Sequence, residues 1–248
     1  MRTIKQHHKV RDRKFYSSLT EVARKQYNRE YAPRYRISDE VGLDNRMHIT
    51  YCELLSTASG SFDYPISVLD WGCGTGRYFH CLKNVKCLTG VDASLDMLKE
   101  ARNPVRQSEI RGTINLVCAN MFELAFPRGV FDLVYCVGVI GDWCPLDPVL
   151  LEKARSMLKA AGKFVFTTID ALSPEAMSWK RSAAYAIRPC LPSFLKRKVN
   201  VRLRSFHITE EALKSLMDRS GFSEYEISRR YSPTGRIDLV CVASLKSA

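Results

Sequence analysis

The chain has 248 residues, 46% hydrophobic and 10% aromatic, and its 38 Lys and Arg outweigh 26 Asp and Glu to leave a net charge of +12. This balance fits one globular domain with an elaboration and excludes a disordered, collagen-like or coiled-coil chain. Its apolar runs fall short of the ~20 residues that span a bilayer, and Met1 to Lys9 run into charge where a secretory signal would carry an apolar core. A cytoplasmic protein is expected. Nine cysteines are scattered with no C-x-x-C pair, a pattern of reduced thiols.

The basic excess is clustered. Residues 1–36 hold 11 basic and 3 acidic side chains and residues 171–205 hold 8 and one, so of the net +12 the remainder carries −3. Clustered charge builds a field that attracts anions: a phosphate or carboxylate, an anionic membrane surface, or a nucleic-acid backbone. A solvated surface that keeps the chain soluble is the plainer alternative.

In chain order, two amphipathic segments, about 17–30 and 41–56, predict helices. From residue 66 short β-branched runs alternate with longer mixed segments, the pattern of βαβ units on a parallel sheet. Strands are expected near 66–70, 87–92, 114–119, 131–137, 163–169, 224–229 and 237–244. Ser94 reads as an N-cap before Leu95, Met97 and Leu98. Leu150, Leu151, Ala154, Met157 and Leu158 repeat at helical spacing, with Gly162 as the expected C′ stop. Thr209 opens a last helix ending at Gly221. Residues 171–205, with Pro174, Pro189 and Pro192, interrupt the alternation and read as a lid-like insertion that selects the substrate.

The most informative stretch runs Val68, Leu69, Asp70, Trp71, Gly72, Cys73, Gly74, Thr75, Gly76, Arg77: a buried strand ending in D-x-G-x-G-x-G. Glycines let the backbone turn sharply and approach a ligand closely. The dinucleotide pattern G-x-G-x-x-G places its third glycine one position later, which disfavours NAD. Sixteen residues after Gly76, Asp92 closes the second strand, where a carboxylate accepts hydrogen bonds from both hydroxyls of a ribose.

With these residues the chain resembles the class I S-adenosylmethionine-dependent methyltransferases, in their small-molecule, ubiquinone-biosynthesis-like branch. The resemblance covers about 64–170 and the final helix and strand pair. It implies a doubly wound, Rossmann-like α/β fold: a seven-stranded, mostly parallel sheet with an antiparallel last strand. It also implies a helical N-terminal cap over 1–60 and a methyltransferase domain over 61–248 that carries the basic lid at 171–205. By the same resemblance Asp70, Gly72, Cys73, Gly74, Gly76 and Arg77 line the methionine end of S-adenosylmethionine, and Asp92 holds its ribose. Ala93 and Met121 pack on the adenine, and Val137 passes beneath the sulfonium. Asn120 departs from the acidic residue usual at its position, yet its amide oxygen can accept the same adenine hydrogen bond.

Methyl transfer from a sulfonium is an in-line displacement with a neutral leaving group, so a base is needed only for a protonated or weakly acidic acceptor. Gly138 to Trp143 lack the Asn/Asp-Pro-Pro-aromatic motif of enzymes that methylate base amines. Asp142 is a candidate base, or a cap for the turn before Pro145; His207 is a candidate base, or a structural hydrogen-bonder. Tyr31, Tyr35, Trp143, Tyr185 and Arg188 are the candidate substrate residues. No metal is expected, because His7 and His8 lack partners at ligand spacing and His48 and His80 show no pattern. The expected reaction methylates an O or N atom of a small anionic or amphiphilic metabolite. Two alternatives stay open: an RNA methyltransferase whose binding would weaken steeply with salt, and a non-catalytic cofactor-binding scaffold.

Overall fold

The computed structural model describes residues 13–174 and 206–247. Its centre is a seven-stranded sheet of β1 (Ile66–Trp71), β2 (Val85–Asp92), β3 (Thr113–Cys118), β4 (Phe131–Cys136), β5 (Leu158–Ile169), β6 (Glu224–Tyr231) and β7 (Ile237–Ser244). The order is β3-β2-β1-β4-β5-β7-β6. β1 to β5 run parallel, and β7 enters antiparallel between β5 and β6, so the expected topology is present. Strand sequence tracks position in the sheet. Central β4, FDLVYC, is buried at every residue, whereas edge strands β3 and β6 are only partly buried, as covered and edge strands should differ.

Alternation along the central strands feeds two cores. Leu69, Val134, Cys136, Phe164 and Phe166 face one side and pack with α1 (Arg13–Gln26), α5 (Pro148–Met157) and α6 (Glu210–Met217). Val68, Leu133, Tyr135 and Val165 face the other and pack with α3 (Arg46–Gly60) and α4 (Leu95–Glu100). The period-2 geometry of a strand sends neighbours to opposite faces, which is why these runs are apolar throughout. The expected N-caps hold: Ser94 Oγ accepts from Met97 N–H, and Thr209 Oγ1 from Ala212 N–H. Among the described residues no helix is long and apolar enough to cross a membrane.

Two expectations need correction. Among the described residues the N-terminal region has three helices, not two, because α2 (Ala32–Val41) stands between the expected pair, with a proline in its first turn. Its weak amphipathic pattern hides it. Asn45 then caps α3, accepting from Met47 N–H at 2.9 Å. Gly162 is not the stop of α5. That helix ends at Met157, and Leu158 already pairs with Phe131 as the start of β5. The left-handed residue is Ala161, φ 58°, while Gly162 lies inside the strand, where a Cβ would come 2.8 Å from the Lys159 carbonyl oxygen. Of the expected lid, residues from 175 to 205 lie outside the described residues.

The N-terminal helix is fastened to the body by polar contacts. Tyr16 stacks on Phe122 at 4.1 Å between centroids and donates its hydroxyl to Asp147. Arg24 Nε donates to the Ala93 carbonyl at 2.9 Å, and Ser94 donates to that of Tyr27. Asp147 also caps α5, its Oδ1 accepting from Leu150 N–H at 3.0 Å. One buried carboxylate therefore serves two helices. Asp147→Ala is expected to cost about 1–3 kcal/mol in chemical denaturation, and Tyr16→Phe, which spares the cap, less than half of that loss.

Candidate functional site

β1 ends in a loop built from backbone that only glycine adopts easily: φ is 95° at Gly72, 55° at Gly74 and 77° at Gly76. The N–H groups of Gly72 and Cys73 both reach the Val91 carbonyl, at 2.8 and 3.0 Å, tying the loop to the end of β2. At that end Asp92 accepts from Gly74 N–H at 2.9 Å through Oδ2 and from Ser94 N–H at 2.8 Å through Oδ1. A carboxylate has about four acceptor positions. The Ala93 N–H also favours the charged form, and the acceptor capacity left over is open to a ligand.

The sheet order reverses at β1, whose neighbours are β2 and β4, and the carboxyl ends of strands at such a point are where open α/β sheets bind ligands. A cavity of about 160 Å³ lies there, lined from the sheet by Asp70, Gly72, Cys73, Gly74, Asp92 and Val137 and from α1 by Leu19, Thr20 and Ala23. Burial pushes the Asp70 carboxyl up to about 8, with the nearby Tyr135 hydroxyl opposing the rise and the Asp92 carboxylate adding to it. Asp92 is also raised by burial, against the backbone N–H groups that favour its charge. Burial raises the phenols of Tyr27 and Tyr35. Both therefore face the cavity as neutral hydroxyls at neutral pH.

Of the expected cofactor residues, Asp70, Gly72, Cys73, Gly74, Arg77, Asp92, Ala93, Met121 and Val137 line this cavity. Gly76 and Asn120 are not among its lining residues. A Cβ at Gly76 would fall 2.6 Å from the Phe79 ring, so that glycine serves packing. Asn120 is buried, and its side-chain oxygen accepts from Phe122 N–H at 3.0 Å in a local turn. Of the expected substrate residues, Tyr35 and Trp143 line the cavity. Tyr31 is largely exposed and meets Tyr27 edge-on at 5.3 Å, while Tyr185 and Arg188 lie outside the described residues.

Neither candidate base lines the cavity. The Asp142 carboxylate takes two guanidinium contacts from Arg236, at 2.8 and 3.2 Å, and Arg236 also reaches Asp238 at 2.8 Å. His207 sits between Phe206, whose N–H bonds the Gly141 carbonyl, and Ile208, whose N–H bonds that of Ile169. Arg77 is held from behind, Nη1 at 3.3 Å from the buried Asp39 and Nε donating to His48 Nδ1 at 3.1 Å. Asp39 also accepts from the Thr75 hydroxyl.

Sequence reading placed Tyr16 and Tyr27 in the segment that the resembling family folds over its cofactor, but did not single out Leu19, Thr20 or Ala23 of α1. Tyr16, Leu19, Ala23 and Tyr27 recur at helical spacing and form the inner face of α1 and its exit, a stripe that periodicity marks as buried without saying against what. Phe122, Met97 and Tyr78 also line the cavity with no motif to announce them.

The chain matches the model of a methyltransferase domain family over residues 68–162. It is 30% identical over 158 residues to a putative methyltransferase of Encephalitozoon cuniculi, covering 62% of this chain and 69% of that protein. It is 26% identical over 190 residues to the malonyl-[acyl-carrier protein] O-methyltransferase of Legionella pneumophila, covering 69% of this chain and 66% of that one. The chain spans about two thirds of the length of these curated relatives and less of others it matches. Among solved structures, magnesium protoporphyrin IX methyltransferase from Synechocystis, with bound S-adenosylhomocysteine, superposes with a TM-score of 0.63 at 14% identity over 92% of this chain and 100% of that one.

A side chain at Gly72 would enter left-handed backbone and run into Val139 Cγ2. Gly72→Ala is expected to lose roughly 1–3 kcal/mol of stability. Adding Val139→Ala should recover the steric part and leave the backbone part, a non-additivity that denaturant titration of the three variants measures.

Proposed function

Because this chain belongs to the class I S-adenosylmethionine-dependent methyltransferases, we propose that it moves a methyl group from that cofactor to an oxygen or nitrogen atom of a small anionic or amphiphilic metabolite. When bound, S-adenosylmethionine supplies a methyl group already activated on a positively charged sulfur. What remains for the protein is alignment and exclusion of water.

The observation that carries this reading is the pair of carboxylates at one sheet end, with aromatic walls across the same cavity. Asp92 would hold the ribose hydroxyls on the acceptor capacity that its backbone donors leave open. Asp70 and the loop backbone would hold the cationic methionine end, and Ala93, Ala119 and Met121 the adenine. Tyr27 meets Trp143 at 5.1 Å and Tyr35 at 6.1 Å between ring centroids. These rings offer apolar faces edged with neutral hydroxyl donors, which suits an amphiphilic acceptor with a planar body. The net charge of +12 favours an anionic acceptor over a cationic one during encounter. The O-methyltransferase name of the Legionella relative favours oxygen as the attacked atom. Among the described residues neither Asp142 nor His207 lines the cavity, and an acceptor that arrives already deprotonated, as a carboxylate or an acidic enol, needs no base.

Calorimetric titration with S-adenosylmethionine and S-adenosylhomocysteine tests the cofactor half of this reading. Wild type is expected to bind both at micromolar concentrations, and Asp92→Ala, losing two charge-assisted bonds, about 10- to 100-fold more weakly. No binding by folded wild-type protein would sink the proposal.

Asp70 adds a pH signature. Its carboxyl, pushed up to about 8, keeps its proton at neutral pH, whereas a ligand ammonium favours the carboxylate. Binding below pH 8 therefore releases a proton, so affinity should rise from pH 6 to 8 and then level off. Titration in buffers of different ionisation enthalpy reads the proton directly, and Asp70→Asn should abolish both the slope and the release.

A further inference from the structure

Behind the glycine loop, on the far side of Arg77 and Tyr78 from the cavity, lies a cluster that the proposed reaction does not use. His48 and Cys52 stand four residues apart on α3, and His80 comes from the 3-10 turn Phe79–Cys81. One ligand atom of each lies within 4.8 Å of the others. Cys52 Sγ is 3.4 Å from His48 Nε2 and 3.8 Å from His80 Nε2. Tetrahedral zinc, with bonds of about 2.3 Å to sulfur and 2.0–2.1 Å to nitrogen, sets these atoms about 3.5 Å apart. The two observed sulfur–nitrogen separations bracket that value.

We infer that His48, Cys52 and His80 form a binding site for a thiolate-preferring divalent ion of the zinc class, tying α3 to the segment that leaves the glycine loop. The donor set decides the class: one thiolate and two imidazoles suit Zn²⁺ or Co²⁺, whereas Mg²⁺ and Ca²⁺ take oxygen. The Cys81 thiol, next to His80 and donating to the Tyr78 carbonyl at 3.0 Å, or a water completes four-coordination. His48 is buried, while Cys52 and His80 are half-buried, so an ion can enter from solvent. His80 Nδ1 is buried with no hydrogen-bond partner among the described residues, so nothing there dictates which ring nitrogen holds the proton and Nε2 is able to present its lone pair.

Binding rearranges one contact. In the metal-free protein Arg77 Nε donates to His48 Nδ1, which leaves the imidazole proton on Nε2, facing the sulfur. Metal at Nε2 moves that proton to Nδ1, releases the Cys52 thiol proton to solvent, and gives up the Arg77 bond. Arg77 retains its ion pair with Asp39.

The test is titration of the full chain, reduced and stripped with chelator, first with Co²⁺ and then with Zn²⁺. One equivalent of Co²⁺ is expected to produce a near-ultraviolet thiolate charge-transfer band with the visible bands of a four-coordinate ion, and Zn²⁺ to displace it and raise the melting temperature. Cys52→Ser should remove the band, His80→Gln should weaken binding ~10-fold or more, and Cys118→Ser, which removes an exposed thiol elsewhere, should change neither. Circular dichroism shows which variants fold, and the half-buried His80 position keeps the test decisive if Cys52→Ser does not. Absence of the band in wild type, or its persistence at unchanged affinity in Cys52→Ser or His80→Gln, overturns the site.

Discussion

The Asp92 carboxylate organises this protein's ligand-binding edge. It sits where β2 ends, and its two oxygens accept backbone N–H groups from opposite directions, Gly74 in the loop after β1 and Ser94 at the start of α4. A turn with three left-handed glycines has little conformational preference of its own, because glycine is the residue least constrained before folding. The charge supplies that preference. It satisfies loop donors that would otherwise be buried and unpaired, at a cost of about 1–3 kcal/mol each, and it orients a carboxylate with acceptor capacity to spare. Stability of the loop and readiness for a ribose are two consequences of one side chain.

Asp70, one strand away, does something different with the same functional group. It is wholly enclosed beside Tyr135, its partner in the β1–β4 register, and burial favours its neutral form. Burial raises both carboxyls at this end of the sheet, but backbone donors oppose the rise at Asp92, whereas Asp70 lies among apolar strands.

The cavity exists only because the N-terminal helices close it. α1 is held by the Tyr16 bond to Asp147 and the Arg24 bond to Ala93, and α2 by Arg36, whose Nε donates to the Asn103 carbonyl at 3.0 Å. These helices also bring Asp39 behind Arg77, and α3 brings His48. The wall of the cavity is therefore continuous with the His48, Cys52 and His80 cluster, and an ion there acts on the same arginine that faces the ligand.

Strand identity and the glycine loop were legible in the sequence because each rests on local chemistry. Buried parallel strands need unbroken apolar runs such as Val68–Leu69 and Phe131–Cys136, a sharp strand-to-helix turn needs glycine, and helix starts need Ser94 or Thr209. The boundary at Gly162 misled for the complementary reason: a glycine after a helical repeat looks like a C-cap, and only pairing of Leu158 with Phe131 turns that stretch into strand. Asp142 carried a base-like residue type in a plausible loop, but whether its carboxylate is available depends on Arg236, 94 residues away in sequence. His48 and His80 offered no pattern, although the four-residue spacing of His48 and Cys52 on one helix was present to be read; their third partner arrives only through the packing of α3 against the turn after the loop. Sequence alone thus determined the strands, the glycine turn and the carboxylate that closes β2, since these follow from near neighbours along the chain. Which side chains share a cavity, which carboxylates are taken by distant arginines and which ligands converge was decided by tertiary structure, because each depends on contacts between segments whose separation in sequence carries no periodic signal.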